Sequence, residues 1–339
     1  MTAIVDLRLA CQLVLAVSAV AFLSACASES SDAGSSVEQR KQAERRQENR
    51  VPIAVTFDDV PSVGTRNLAE VQAVTTGLLT TFEERRIPVA AFVNSAQLDV
   101  AGEREARLDV LGAWLNAGHE LANHTHKHLS LHRVDEVELY LDDIRRCEMA
   151  LHPMLGARGK LMRYFRHPYL HTGLDLETKD RVDGWLAERG YTVAPVTLEN
   201  FDWMFSALYD QRLRAGDTDG AAAVVKAYLE HTEKSFDFLE KASLELNGEP
   251  HAQVLLLHAN RLNADHFGAI ADIIERRGYR YATLEESLED EIYRSEDRFA
   301  GPPGPVWQYR WAETAGVEID WSQEPEPPAW IVEAFEQRG

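Results

Sequence analysis

The chain has 339 residues, enough for one large domain or two ordinary ones, and its apolar fraction of 45% is typical of a globular protein with a sizeable core. Its formal charge is −20, from 35 basic and 55 acidic residues. Because phosphate backbones and anionic headgroups attract basic surfaces, this charge argues against nucleic acid or anionic lipid as the main partner.

The beginning of the chain has the features of a secretory signal. Residues 9–25 are almost continuously apolar, and the letters LSA directly before Cys26 resemble the lipobox of bacterial lipoproteins. This resemblance implies that residues 1–25 form a signal peptide that is cleaved off. It also implies that lipid on Cys26 anchors the protein to a membrane of the bacterial cell envelope, on its periplasmic or outer-surface face. A plain cleaved signal or an uncleaved anchor is the alternative.

The next segment has no apolar periodicity. Residues 26–50 are rich in Ser, Glu, Gln and Arg, a composition that predicts a flexible tether. Once Cys11 is cleaved off with the signal and Cys26 carries lipid, Cys147 is the one cysteine left, so we expect no intrachain disulfide.

From Val51 onward, short apolar runs alternate with amphipathic segments. The predicted strands are 53–57, 88–94, 119–123, 162–168, 192–198, 254–258 and 279–284. The predicted helices are 67–86, 104–116, 134–151, 175–189, 218–246, 264–277 and 284–293. Such alternation predicts an α/β protein whose parallel sheet has helices outside it. Seven or eight strands favour a closed or nearly closed barrel over an open sheet.

The end of the chain differs in composition. Residues 291–339 are rich in Pro, Gly and Trp, and we expect this C-terminal extension to pack on the barrel formed by residues 51–290. Its four tryptophans are candidates for stacking on sugar rings, and packing anchors are the equal alternative. They are Trp307, Trp311, Trp321 and Trp330.

Titratable residues follow one predicted strand after another. In a parallel barrel, catalytic groups come from the carboxyl ends of the strands, and polar side chains at successive ends are therefore expected to meet in one site. The residues in these positions are Asp58, Asp59, His124, Arg166, Asp202 and His258.

The adjacent carboxylates of Asp58 and Asp59 have two interpretations. In an extended chain they point to opposite sides, so that one can ligate a metal while its neighbour faces substrate. A simple turn before Pro61 is the alternative.

Five histidines lie between residues 119 and 132. A strand would place His124, His126 and His128 on one face, whereas a helical turn would bring together only His124 and His128. We favour the turn, because the preceding strand ends at Asn123. Two histidines, one carboxylate and an open position make a catalytic zinc site. Histidines that merely cap the next helix are the alternative.

Five short motifs resemble, in order, those of the polysaccharide deacetylase family, the NodB-like group that forms carbohydrate esterase family 4. They are VTFDD (55–59), HTHKH (124–128), FRHPY (165–169), FDW (201–203) and LLLH (255–258). The resemblance implies a distorted (β/α) barrel of seven or eight strands as the catalytic domain, over residues 51–290.

The resemblance also implies a role for each matching residue. Asp59, His124 and His128 would hold a divalent metal, usually zinc. Asp58 would be the general base that activates water, and Arg166 would pair with it and keep it ionised.

Further roles follow for the remaining motifs. His258 would be the general acid that protonates the leaving amine, and Asp202 would polarise it. In the substrate groove, Leu256 would line the space for the acetyl methyl group, Trp203 would pack beside the acid, and Tyr169 would donate its backbone N–H to the oxyanion.

The implied activity is hydrolysis of a linear amide, with metal-activated water removing N-acetyl groups from an amino-sugar polymer or oligomer that resembles peptidoglycan or chitin. One alternative is a different reaction at the same site, either O-deacetylation of a polysaccharide such as xylan or hydrolysis of a non-sugar amide. Another is a catalytically silent carbohydrate-binding lipoprotein. Val60, His167 and Leu170 depart from the usual motif residues, which indicates an outlying subfamily with its own groove walls.

Overall fold

The computed structural model of the protein describes residues 50–338. The predicted signal peptide, Cys26 and all of the predicted tether except Arg50 lie outside the described residues. Within that described part, no helix is both long and apolar enough to cross a membrane.

Seven parallel strands form the sheet in the described part of the chain. They are β1 (Pro52–Val60), β2 (Val89–Val93), β3 (Glu120–Asn123), β4 (Tyr164–Phe165), β5 (Thr192–Val193), β6 (Gln253–His258) and β7 (Arg280–Tyr281).

Helices connect these strands and extend beyond the last one. They are α1 (Leu68–Arg85), α2 (Arg104–Asn116), α3 (Val137–Gly156), α4 (Leu176–Glu188), α5 (Asp202–Arg214), α6 (Thr218–Asn247), α7 (Arg261–Arg276), α8 (Leu284–Ser287), α9 (Trp307–Ala315) and α10 (Ala329–Glu336).

The sheet curls into a ring. Its strand order is β5-β4-β3-β2-β1-β6, and β7 pairs with the start of β1. The chain beyond β5 returns to β6, where Leu198 forms a parallel bridge with Leu255 and accepts the backbone N–H of Leu256 at 2.9 Å. The predicted distorted (β/α) barrel is thus confirmed, with seven strands.

The core explains why β1 is apolar on both faces. Parallel strands covered by helices are buried on both sides, and Phe57 of β1 packs against Phe82 of α1 and Phe267 of α7 at ring-centroid distances of 5.3 and 5.6 Å. Trp114 of α2 completes the cluster at 5.9 Å from Phe82. These rings join β1 to three helices.

One predicted strand is much shorter than expected. Only Thr192–Val193 of the predicted 192–198 segment pairs as a strand. Pro195 has no backbone N–H to donate, and the carbonyls of Ala194 and Pro195 accept hydrogen bonds from the guanidinium of Arg166 at 3.3 and 3.4 Å. A side chain therefore replaces strand pairing at this point.

One predicted helix is shorter than expected. The predicted helix 284–293 stops at Ser287, because Asp290 accepts the backbone N–H of Ile292 and starts a separate 3-10 turn. In α3, Cys147 is buried in the core, whereas Met149 is 73% exposed.

The C-terminal extension lies on the barrel through α9 and α10. Trp307 and Trp311 of α9 are buried, and the backbone N–H of Trp307 donates to the carbonyl of Val196 at 2.7 Å. These two tryptophans are therefore packing anchors. Trp330 of α10 is 42% exposed.

Replacing Phe82 by Ala should lower the free energy of unfolding by about 3–5 kcal/mol, because the cavity left among the aromatic rings cannot collapse fully. Urea denaturation followed by circular dichroism measures this loss. Glu83→Ala, on the exposed side of the same helix, is the matched control and should change the value by less than about 0.5 kcal/mol. Equal losses in both variants would contradict the packing described.

Candidate active site

A cleft of about 1100 Å³ opens at the carboxyl ends of the strands. It is the place where the sequence predicts catalytic groups. The predicted site residues that line it are Asp58, Asp59, His124, His128, Tyr169, Trp203, Leu256 and His258. The other two, Arg166 and Asp202, lie behind the cleft wall and contact Asp58 and His258.

Asp59, His124 and His128 form a compact cluster in this cleft. Their potential ligand atoms all lie within 4.8 Å of one another. Oδ1 of Asp59 lies 3.9 Å from Nε2 of His124 and 3.6 Å from Nε2 of His128. This oxygen is buried and has no hydrogen-bond partner among the described residues. Two imidazoles and an unpartnered carboxylate oxygen are a donor set that fits a divalent metal such as zinc.

His124 is held in the tautomer that a metal ligand requires. Its Nδ1 lies 2.8 Å from the carbonyl oxygen of Arg166. A carbonyl only accepts, so Nδ1 carries the proton and Nε2 keeps its lone pair toward Asp59. Burial is the main cause that lowers the pKa of His124 to about 3, and the ring is therefore neutral.

The backbone that pairs the histidines is neither a strand nor a helical turn, so the predicted turn is wrong. Thr125 and His128 have φ values of 67° and 56°. Side chains hold this shape, because Asn123 accepts the N–H of Thr125 at 2.8 Å and Asn94 donates to the carbonyl of His124 at 2.5 Å. The rings of His124 and His128 nevertheless meet, with centroids 4.9 Å apart.

His126 faces away from the cluster. Its Nδ1 lies 2.9 Å from Oγ of Ser95, and its Nε2 lies 3.6 Å from a carboxylate oxygen of Asp99. Three histidines on one face, as a strand would give, are therefore not present in this segment.

The two aspartates do not point to opposite sides, as an extended chain would require. Asp59 has a φ of 60°, and both carboxylates therefore approach the same histidine. Oδ2 of Asp58 lies 3.5 Å from Nε2 of His124, close to the 3.9 Å that separates this nitrogen from Asp59. The base candidate and the ligand candidate thus share one neighbour.

Asp58 is buried beside a buried arginine. Nη1 of Arg166 donates to Oδ1 of Asp58 at 2.8 Å and to Oγ1 of Thr56 at 2.7 Å. The guanidinium also lies 4.1 Å from the ring centroid of Phe92. Burial raises the pKa of the Asp58 carboxyl, and the charge and hydrogen bond of Arg166 oppose this shift. A carboxylate with a raised pKa is a stronger base.

His258 is bound to Asp202 on the other side of the cleft. Its Nδ1 lies 2.7 Å from Oδ1 of Asp202, and its backbone N–H donates to Oδ2 at 2.9 Å. Burial disfavours the charged imidazole, but the charge and hydrogen bond of Asp202 outweigh burial and raise the pKa of His258 to about 10. A protonated imidazole of this kind is equipped to act as an acid at neutral pH.

Two residues that the sequence interpretation missed hold Asp202 in place. Asn260 and Asn263 donate side-chain N–H groups to its Oδ2 at 2.8 and 2.6 Å. Asn260 also caps α7 by accepting the N–H of Asn263. An asparagine two residues after a strand end, just before a helix, was the signal available in the sequence.

The loop after β4 carries Tyr169. Tyr169 and Leu170 have φ values of 59° and 55°, and the Tyr169 side chain is 48% exposed. Its ring packs against His128 at a centroid distance of 4.5 Å. The Tyr169 backbone N–H forms no hydrogen bond within the described residues, which leaves it available to a ligand.

The remaining cleft wall comes from residues that the motifs do not include. Phe335 of α10 packs edge-on against Trp203 at 5.1 Å, and Glu199 and Arg338 also line the cleft. Burial is the main cause that raises the pKa of Glu199 to about 7. No sequence signal placed α10 near the site, because the contact joins residues far apart in the chain.

Residues 45–191 match the family model described as polysaccharide deacetylase. The match includes the first three motifs and confirms the resemblance to that family. The motifs around Asp202 and His258 lie beyond the matched residues. No curated protein matches the sequence.

Several solved structures are similar at low identity. A family 4 carbohydrate esterase from Streptomyces lividans in complex with acetate is 19% identical, with a TM-score of 0.46 over 70% of this chain and 95% of that one. A peptidoglycan N-acetylglucosamine deacetylase is 17% identical, with a TM-score of 0.48 over 71% and 89%. A mutant of a family 4 pseudoenzyme with restored activity is 14% identical, with a TM-score of 0.48 over 71% and 68%.

Replacing His128 by Ala should weaken zinc binding by more than about 100-fold. Even residues that only hydrogen-bond to a metal ligand contribute about 10- to 100-fold to metal affinity. Competition with a chelating dye measures the affinity. His126→Ala removes a neighbouring histidine that faces Ser95, and it should bind zinc as the wild type does. Comparable losses in the two variants would contradict the cluster.

Replacing Asp202 by Asn should shift the alkaline limb of the activity profile to lower pH. The Asp202 carboxylate raises the pKa of His258, so its neutral replacement lowers that pKa, and the protonated acid is then lost about 1–3 pH units earlier. The pH dependence of kcat/KM measures the shift. Asp272→Asn, an exposed acid on α7, is the control. An unshifted limb would contradict the assignment of His258 as the acid.

Proposed function

We propose that this chain, whose residues 45–191 match the polysaccharide deacetylase family, is a metal-dependent hydrolase that removes N-acetyl groups from an amino-sugar polysaccharide or oligosaccharide. One observation carries the proposal. A carboxylate base paired with arginine and a protonated histidine paired with aspartate line the same cleft as a three-ligand cluster. Amide hydrolysis by metal-activated water uses these three elements together.

Asp59, His124 and His128 would hold the metal. The orphaned Asp59 oxygen and the neutral His124 ring support this fit. A bound divalent ion supplies polarisation of the acetyl carbonyl and lowers the pKa of water. Zinc suits the two imidazoles and one carboxylate best.

Asp58 would accept the proton of the attacking water. Its carboxylate lies 3.5 Å from His124 and is held at its other oxygen by Arg166 at 2.8 Å. Arg166 thus fixes the orientation of the base and offsets the cost of burying its charge. The water oxygen adds to the acetyl carbon, and the carbonyl oxygen becomes an oxyanion.

The other side of the cleft would complete the reaction. The Tyr169 backbone N–H donates to the oxyanion, and the protonated Nε2 of His258 gives its proton to the amide nitrogen. The carbon–nitrogen bond then breaks, leaving acetate and a free amine. Until that step, the Asp202 carboxylate stabilises the protonated imidazole of His258.

The cleft also supports a sugar substrate. Trp203 is 39% exposed and supplies an aromatic face for a sugar ring, and the largely buried Leu256 offers an apolar surface to the acetyl methyl group. A purely carbohydrate-binding protein would have no need for a buried base and a charged acid beside three metal-ligand candidates. We therefore place hydrolysis first.

The location of the protein is a separate proposal. Lipid on Cys26 would hold the enzyme at a membrane of the bacterial cell envelope, with residues 26–50 as a tether. Mass spectrometry of the mature N-terminus tests this directly, and an unmodified Cys26 would overturn it.

Acetate release by the full-length chain tests the reaction. The substrates are peptidoglycan, N-acetylglucosamine oligomers and acetylated xylan, each with and without a chelator. Chelator-sensitive release from the first two is expected. Release from xylan alone would show O-deacetylation, and no release from any substrate would contradict the proposal.

Asp58→Asn should retain zinc and lose about 10²- to 10⁴-fold in kcat, because general-base catalysis contributes that range. Zinc analysis and the acetate assay measure the two properties on the same sample. Asp272→Asn removes the same charge from a surface position and should remain fully active. Near-normal turnover of the Asp58 variant would show that another group is the base.

A further inference from the structure

The loop that carries the Tyr169 N–H has an unusual backbone. Tyr169 and Leu170 are consecutive non-glycine residues with left-handed φ values. Such a conformation persists only where the surroundings hold it. The inference below rests on the proposed function, in which this N–H is the oxyanion donor.

Arg310 of α9 contacts this loop from the C-terminal extension. Its side chain is fully buried. Nη2 donates to the carbonyl of Leu170 at 2.5 Å, and Nη1 donates to Oγ1 of Thr172 at 2.8 Å. Nε donates to the carbonyl of Pro305 at 2.9 Å. The planar guanidinium therefore joins the loop to the extension through fixed directions.

The buried charge of Arg310 has only a long ion pair among the described residues. Its partner, Asp297, lies 3.9 Å away, and the guanidinium also lies 4.0 Å from the ring centroid of Trp307. Burial lowers the pKa of Arg310 to about 10, so the side chain is still charged at neutral pH. Its hydrogen bonds to neutral oxygens therefore provide much of the compensation for burying the cation.

The extension is itself fixed to the barrel. The Trp307 backbone N–H donates to the carbonyl of Val196 at 2.7 Å, and the Gln308 side chain donates to Oγ of Ser243 at the same distance. Arg310 therefore projects from a helix that the barrel holds on two sides, and its position is not free to adjust.

Gly304 provides a second contact at the same loop. It lines the cleft, and a Cβ atom added there would overlap the carbonyl oxygen of Tyr169 and lie 3.1 Å from Cδ2 of His171. Backbone meets backbone at this point, with no room for a side chain. Gly301, three residues earlier, would place a Cβ 3.6 Å from the Phe299 ring, which is an ordinary contact.

We propose that the C-terminal extension is part of the active site, in which Arg310 is a positioning residue that, together with Gly304, holds the Tyr169–Leu170 backbone so that the Tyr169 N–H can bind the oxyanion. The extension lies outside the residues that match the family model. The barrel of residues 51–290 alone lacks this support.

Kinetics of the full-length, zinc-loaded chain on an N-acetylglucosamine pentamer test the proposal. Gly304→Ala and Arg310→Met should lower kcat about 10- to 100-fold, less than the 10²- to 10³-fold expected for complete loss of an oxyanion donor. KM and zinc affinity should change much less than kcat, since no metal ligand is replaced and the N–H of Tyr169 bonds the oxyanion only in the transition state. Gly301→Ala is the matched control, and Arg310→Lys should recover part of kcat by donating to Leu170.

Hydrogen–deuterium exchange of residues 167–173 provides a readout independent of activity. Exchange should be faster in Gly304→Ala and Arg310→Met than in the wild type or Gly301→Ala. Unchanged kcat or unchanged exchange in Gly304→Ala overturns the inference. A fall in kcat that matches the fraction of protein that has lost its fold overturns it as well. If the wild type releases no acetate, the proposed function fails, whereas faster exchange would still show that Arg310 holds the loop.

Discussion

The side chain of Arg166 lies across the interior of the barrel, and the site depends on it. It is fully buried and donates to Asp58 and Thr56 of β1 and to the carbonyls of Ala194 and Pro195. Its own carbonyl accepts a hydrogen bond from Nδ1 of His124. One residue thus orients the carboxylate proposed as the base, interrupts a strand and fixes the tautomer of a metal-ligand candidate. A buried guanidinium can do this because its five donors point in fixed directions.

The cleft keeps its titratable groups in different protonation states through their neighbours. Burial makes His124 neutral, while Asp202 makes His258 cationic. Asp202 in turn has its Oδ2 oxygen satisfied by the His258 backbone and by Asn260 and Asn263. Two histidines of equal intrinsic pKa are therefore held in opposite protonation states, which suits the proposed ligand role of one and the proposed acid role of the other.

Backbone strain is concentrated where the chemistry is expected. Seven non-glycine residues in the described part of the chain have left-handed φ values, and six of them lie at the site: Asp59, Thr125, His128, Tyr169, Leu170 and Phe201. The seventh, Arg86, ends α1. Strained residues persist only where side chains hold them, as Asn123 and Asn94 do for the histidine segment and Arg310 does for the Tyr169 loop. Packing around the barrel thus maintains the strained positions.

The sequence by itself determined the order of the strands and of the helices that it predicted, the barrel class and the polar residues at the strand ends, because apolar periodicity is a local property. It did not predict α5, α9 or α10. It singled out His124 and His128, although for a helical turn that does not exist. Only the tertiary structure decided that Asp58 and Asp59 approach one histidine, that Asn260 and Asn263 hold Asp202, and that Arg310 reaches the Tyr169 loop. These contacts join residues far apart in the chain or depend on left-handed backbone, and neither leaves a periodic signal in the sequence.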